Sequence, residues 1–240
     1  HPRHPYAGNL VYTAFSGSHQ DAIKKGMEYQ KQKTEDQIWE VPYLPIDPAD
    51  IGRTYEGIIR INSQSGKGGV AYILEKYYGY QLPKDMHPEI GKIIQAIADK
   101  TGKEVTNDEI FETFNNEYLK INTPIEFISF DILESKNDKL KCNLNIKFNG
   151  SKNEIEGIGN GPIDACKDAL SKLTEIPKFN VNEYYEHALS SGSTSKAIAY
   201  IEVENTNNYT TSFGVGIDSN IIQAAIKSLI SGLNRAMRNQ

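Results

Sequence analysis

The sequence predicts an α+β fold, with helical linker subdomains followed by a domain of two βββα units. Three observations carry this. Apolar residues recur at helical spacing through the first half of the chain, the period falls from 3.6 to 2 at about residue 121, and a strand-glycine-helix pattern then occurs twice. With 240 residues, 38% of them hydrophobic and 24% charged, the chain has enough material for an ordered core.

Ser18 reads as an N-cap with Asp21 three residues on, and Ala22, Ile23, Met27 and the stem of Lys31 supply a helical stripe through Lys33. The polar residues 30–37 read as a loop. Next comes Val41-Pro42-Tyr43-Leu44-Pro45-Ile46-Asp47-Pro48, whose three prolines predict a tyrosine held in an extended setting. Residues 52–57 link it to Ile58-Ile59-Arg60-Ile61, after which Gly66-Lys67-Gly68-Gly69 opens a helix through Val70, Ile73 and Leu74. Pro88 starts another, with Ile90, Ile93, Ile94 and Ile97 on one face and a stop near Gly102. Thr106 and Glu109 form a capping box for a third, carrying Ile110, Phe111 and Phe114.

Beyond residue 121, Ile125 and Phe127 open a strand, and Leu140, Cys142, Leu144, Ile146 and Phe148 alternate with polar neighbours, as in a sheet buried on one face. A strand at 154–158 leads through Gly157-Ile158-Gly159-Asn160-Gly161-Pro162 into a helix with Ile163, Cys166, Ala169, Leu170 and Leu173 inward. Strands at 197–204 and 209–215 lead through Gly214-Val215-Gly216 into a last helix carrying Ile222, Ala225, Ile226, Leu229, Ile230 and Leu233. A short helical piece is expected at 181–190. Each sheet needs its helix as cover, so the two units are expected to pack as one domain.

A net charge of -5 excludes a surface built for nucleic acid, which requires clustered Lys and Arg. No apolar run reaches the roughly 18 to 20 residues that span a bilayer, and His1-Pro2-Arg3-His4-Pro5 lacks signal-peptide character. No membrane partner and a cytoplasmic location are the expectations. The lack of an initiator Met reads as a piece of something longer. Cys142 and Cys166 have no CxxC or Cys/His neighbour and read as buried free thiols.

The Gly66-Lys67 turn is not a phosphate loop, because Ile61 and Gly68 stand where Gly and Ser or Thr are needed. His1 and His4 each precede a proline, have no carboxylate nearby and are not read as metal ligands. His87 and His187 read as surface or satisfied core histidines. Tyr12, Tyr55, Tyr77 and Tyr78 read as packing residues with a polar tip. The glycine turns at 157–162 and 214–219 have two open readings, close strand-to-helix packing or backbone amides presented to an anion such as a carboxylate.

His19 stands apart. It opens a helix in Phe15-Ser16-Gly17-Ser18-His19-Gln20-Asp21-Ala22-Ile23, where the positive end of the helix dipole disfavours a charged ring, and a neutral imidazole can act as a base.

Taken with the 41–48 segment, with Gly52-Arg53-Thr54-Tyr55-Glu56, with Arg60-Ile61-Asn62-Ser63-Gln64-Ser65-Gly66-Lys67-Gly68-Gly69, with Gly159-Asn160-Gly161-Pro162 and with Tyr184-Tyr185-Glu186-His187-Ala188, this stretch resembles the 2-isopropylmalate synthase family over essentially the whole chain. The family's metal-binding His-x-His pair is absent, so the resemblance is to the C-terminal portion without the catalytic TIM barrel. It implies residues 1–8 as the barrel's edge, 9–57 as linker subdomain I, 58–119 as helical linker subdomain II and 120–240 as a leucine-binding regulatory and dimerisation domain.

The implied reaction is a Claisen-type condensation of acetyl-CoA with 3-methyl-2-oxobutanoate, giving 2-isopropylmalate and CoA, with feedback inhibition by leucine. By resemblance, His19 and Tyr43 are catalytic and reach a partner subunit's active site in a homodimer. The divalent metal belongs to the missing barrel and not to this chain. The leucine pocket is implied at Asn160, Gly161, Ile163, Val181, Tyr184, Ala188, Ala197 and Ile221, with Asp164 standing where the family tends to be small and apolar. Two alternatives are a stand-alone amino-acid-binding and dimerisation module, and the same part of a citramalate or homocitrate synthase.

Overall fold

The computed structural model describes residues 1, 4–8, 11, 12, 14, 16–33, 38–52, 67–103, 105–134 and 139–238. They form two units, His1–Tyr78 with Lys84–Phe111, and Gly79–Pro83 with Glu112–Gln240.

In the first unit, α1 spans Gly17–Gln30, followed by a 3-10 turn at Pro48–Ile51, α2 at Lys67–Tyr78 and α3 at His87–Thr101. The expected cap at Ser18 is corrected: the helix begins two residues earlier, after Ser16, whose hydroxyl bonds Ser18 Oγ at 2.8 Å instead of a backbone amide. The helix ends at Gln30 rather than Lys33, and the chain continues as turns. The segment 58–61 and Gly66 lie outside the described residues. α3 has Pro88 in its first turn, buries Ile90, Ile94 and Ala98, and stops at Gly102 with φ 65°. α4 (Asn107–Phe114) opens under the expected capping box, with Thr106 N–H donating to Glu109 Oε2 at 2.8 Å and Glu109 N–H to Thr106 Oγ1 at 3.2 Å.

The second unit takes up the chain at Glu112, within α4, and continues through a π-helical turn at Asn115–Leu119 into strands and helices in which the α+β prediction holds. Strands β1 (Ile125–Glu134), β2 (Leu140–Phe148) and β3 (Ser151–Gly159) form one antiparallel sheet covered by α5 (Pro162–Ser171). Strands β4 (Phe179–Ala188), β5 (Ala197–Asn205) and β6 (Thr210–Asp218) form a second, covered by α6 (Ile221–Arg238). One core joins the two: Leu144, Ile146, Cys166 and Leu170 cluster with Ile201, Val203, Ile226 and Leu229. The thiols of Cys142 and Cys166 are both free and buried, and face each other at 3.0 Å across the β2–α5 contact.

The helical piece expected at 181–190 is instead strand β4. A β-bulge between Val181 and Glu183 adds one residue to the strand. Side chains of one face therefore fall at 181, 184, 186 and 188, so the alternation that marks a strand is broken near its start, while pairing with β5 imposes the strand.

The open question over the glycine turns is answered for four glycines. A Cβ on Gly157 would lie 2.1 Å from Ala165 O, and one on Gly159 2.3 Å from Ala165 N. Their counterparts repeat this, with Gly214 2.0 Å from Ser228 O and Gly216 2.1 Å from Ala224 O. Each pair lets a helix rest directly on the backbone of its strand. Among the described residues no helix is long and apolar enough to cross a membrane.

Candidate functional site

The first site is built on a small apolar cluster. Ile23 from α1 packs with Tyr12, Ala14, Val41 and Leu44, and Met27, Trp39 and Ile46 surround them. Gly26 lets the following segment lie against the helix, since a Cβ there would stand 2.6 Å from Pro42 Cδ. Trp39 Nε1–H donates to Leu44 O at 2.9 Å, and Asp47 accepts from Ala49 N–H at 2.9 Å.

Held this way, residues 41–44 form a turn rather than the extended setting that three prolines predict. Leu44 N–H donates back to Val41 O, Pro42 takes the second position and Tyr43 the third with φ 65°. Proline's fixed φ suits the second position of a type I or II turn as well as it suits an extended strand, and the core contacts of Val41 and Leu44 select the turn. A left-handed tyrosine costs on the order of 1 to 2 kcal/mol, and its side chain is carried outward, 61% exposed. There its ring stacks on that of His19 in the first turn of α1, with centroids 4.1 Å apart and planes at 27°. The structure thus brings together an exposed imidazole and an exposed phenol, a proton acceptor beside a hydrogen-bond donor. Sequence reasoning missed Gly26 and Trp39. An isolated glycine inside a helical pattern was the available signal.

Among the described residues no three His, Cys, Asp or Glu side chains converge to hold a metal ion.

The second site lies in the βββα module. Ile163 of α5 and Ala197 of β5 pack on a floor of Ala199, Ala224 and Ala225. Ala188 pairs with Ala197 and Tyr184 with Ile201, which places both on the face of β4 that continues this floor. Val181 pairs with Val203 and packs, like Ile163, on the main core. Ile221 starts α6 one turn before Ala224 and Ala225 and is exposed. Asn160 and Gly161 precede α5, whose first turn has no side-chain cap. Of the eight residues named from the sequence, Ile163 and Ala197 meet on one floor, and the others lie at the start of α5, at the start of α6 and along β4.

The charges around this second site are few. Asp164 is exposed, and its carboxylate turns back to accept from Asn160 N–H at 2.9 Å, taking one of the amides expected to face an anion. Tyr184 O–H bonds the Glu186 carboxylate, and burial followed by that bond pushes the phenol up. At the start of α6, Asn220 Oδ1 accepts from Ile222 and Gln223 N–H, so those amides are already satisfied.

Comparison with known proteins follows the same division. Residues 9–75 match the family described as alpha-isopropylmalate synthase, post-catalytic domain-like, and residues 104–237 match the LeuA allosteric (dimerisation) domain. The chain is 49% identical over 236 residues to a 2-isopropylmalate synthase of Parvibaculum lavamentivorans, covering 98% of this chain and 40% of that protein. A 2-isopropylmalate synthase of Pseudomonas syringae pv. tomato is 48% identical, with 99% and 41% covered, and one of Paraburkholderia xenovorans 46%, with 98% and 40%. The chain therefore spans about two fifths of the length of these curated relatives. With more than half of its residues matched, the chain belongs to the family of the LeuA allosteric (dimerisation) domain.

Proposed function

We propose that this chain is the post-catalytic and regulatory part of a 2-isopropylmalate synthase, whose catalytic barrel lies outside it. The observation that carries the reading is the His19–Tyr43 stack at 4.1 Å, on a surface that the folding of α1 and the 41–44 turn leaves open. The reaction joins the acetyl methyl carbon of acetyl-CoA to the keto carbon of 3-methyl-2-oxobutanoate, and hydrolysis of the thioester then releases CoA. Removing the methyl proton needs a base within hydrogen-bonding reach, and the charge that develops on oxygen needs donors. His19 serves as general base or water activator, and Tyr43 as donor and orienting group. A divalent metal bound by the barrel would polarise the keto oxygen.

The second unit is proposed as the leucine-binding and dimerisation module. The uncapped start of α5 suits a carboxylate, and the alanine floor with Ile163 suits an isobutyl side chain. Asp164 lies within one turn of that start, where it suits the ligand's ammonium. A homodimer and a cytoplasmic location follow from the same reading.

Activity is tested by supplying the barrel in trans. His19→Ala is expected to lower kcat by at least a hundredfold, the range a general base contributes. Normal turnover by that variant would remove the catalytic role. Calorimetric titration of the chain with leucine, isoleucine and valine tests the module, and a flat response to all three defeats it.

A further inference from the structure

The strap Gly79–Pro83 follows α2 in sequence yet belongs to the second unit. Gly79 turns with φ 73°, and Tyr80 buries its ring 5.4 Å from that of Phe114. Gln81 then donates its backbone N–H to His187 Nε2 at 3.1 Å. A backbone N–H only donates, so Nε2 must accept, and the imidazole proton sits on Nδ1, 3.1 Å from its acceptor Ala188 O. The ring is fixed by its neighbours: Tyr200 lies at 5.9 Å and Tyr185 at 6.0 Å, with the Tyr200 hydroxyl 3.4 Å from Nε2. Tyr200 is fully buried.

Strand pleating places this clasp in relation to the proposed effector slot. Tyr184, Glu186 and Ala188 lie on the face of β4 that meets Ala197, Ala199 and Ile201, whereas Tyr185 and His187 lie on the other face with Ile198 and Tyr200. One strand therefore carries the slot on one face and the hold on the strap on the other, at adjacent residues. A ligand seated against Tyr184 and Ala188 would restrain the backbone that aims His187.

We infer that His187 is a positioning residue through which occupancy of the β4 slot is passed to the strap Gly79–Pro83. This rests on the reading of that slot as an amino-acid site. The strap has two states, clasped by His187 and released, and leucine binds the clasped state more tightly. Linkage makes the coupling reciprocal: the factor by which leucine strengthens the clasp equals the factor by which loss of the clasp weakens leucine.

The test measures both factors on the 240-residue chain. Calorimetry gives the leucine affinity, and site-resolved amide hydrogen exchange gives the protection of Gln81 with and without leucine. In the wild type, leucine is expected to slow Gln81 exchange about tenfold, within the usual range of coupling. His187→Leu is expected to speed Gln81 exchange in the free protein and to weaken leucine by that same factor of about ten. His187→Gln, which keeps an acceptor, should restore both, and serves if the leucine variant does not fold. Leucine that binds without altering Gln81 exchange overturns the coupling and leaves the amino-acid site standing. So does a more than threefold disagreement between the two factors. Absence of leucine binding by the wild type overturns the site reading itself, and the coupling with it.

Discussion

The two βββα units share a topology and a packing device, and they part company at their helix starts. Gly157 and Gly159 seat α5 on β3 in the way that Gly214 and Gly216 seat α6 on β6. α6, however, starts under Asn220, and the preceding Asp218 receives bonds from Asn220 N–H, Gln223 Nε2 and Lys227 Nζ at 3.0, 2.8 and 2.7 Å. α5 starts after Gly161 with no side-chain cap. The helix ends differ as well. Ser231, Asn234 and Arg235 of α6 are buried and bond Tyr118 O, the backbone of Ile125 and the Glu117 carboxylate. Repeating a unit duplicates its packing, while polar side chains decide which copy is closed by its own groups and which keeps a helix end for something else.

The largest effect is expected where the two units agree. Gly214→Ala places a methyl group 2.0 Å from Ser228 O and 2.1 Å from Gly232 N, and Gly157→Ala repeats the clash on Ala165 O. Each is expected to cost about 3 kcal/mol or more, as overpacking against a backbone that cannot yield. Denaturant melts check this, and an Ala variant as stable as the wild type at either site would break the equivalence of the units.

The next test separates them. Asn234 accepts from Ile125 N–H at 2.9 Å and donates to Ile125 O at 2.7 Å, fully buried. Asn234→Ala leaves both backbone groups without that partner and is expected to cost about 2 kcal/mol. A melt unchanged by the substitution would mean that the second helix is no better fastened than the first.

Caps sharpen the contrast further. Asn220→Ala is expected to lose about 1 kcal/mol. At the other helix, Gly161→Asn has room for its side chain and is expected to add a few tenths of a kcal/mol by supplying the missing cap. If the α5 start seats the effector's carboxylate, the same substitution lowers leucine affinity about tenfold, because the new side chain competes for the amides. Calorimetry and a thermal melt read the two effects independently.

The smallest effect is in pH. Burial pushes the Asp218 carboxyl up, but bonds from Asn220, Lys227 and Gln223 outweigh it and hold the group below its ordinary value. The Ile158 amide and Lys172 do the same for Asp168 in the first βββα unit. A depressed carboxyl contributes stability that is fully present above its unfolded pKa of about 3.9 and is lost as pH falls through the lower folded value. Melting temperature should therefore decline below about pH 4, and Asp218→Asn should flatten that decline while lowering stability at neutral pH. An acid profile that Asp218→Asn leaves unaltered would deny the group its role.

Much of this was legible before folding. The capping box of Thr106 and Glu109, Pro88 in the first turn of α3 and the alternation of β2 each depend on neighbours in sequence, and each occurs as read. β4 was misread because its bulge shifts the side-chain period, and a bulge is a property of strand pairing. The candidate residues His19 and Tyr43 stood out through resemblance, but the turn that lifts Tyr43 depends on contacts of Val41, Pro42 and Leu44 with Ile23 and Gly26 of α1. His187 was read as a surface or satisfied histidine. Its partner Gln81 is 106 residues away, beyond the reach of any local pattern.

What the order of residues settled by itself was periodicity, caps and the succession of helices and strands, since these follow from interactions within a few residues along the chain. Only the tertiary structure decided that four glycines serve packing, that one helix start is capped and its counterpart is not, and that an imidazole stacks on a phenol. Those outcomes depend on distances between segments remote in sequence, which are fixed only when the segments compete for the same buried space.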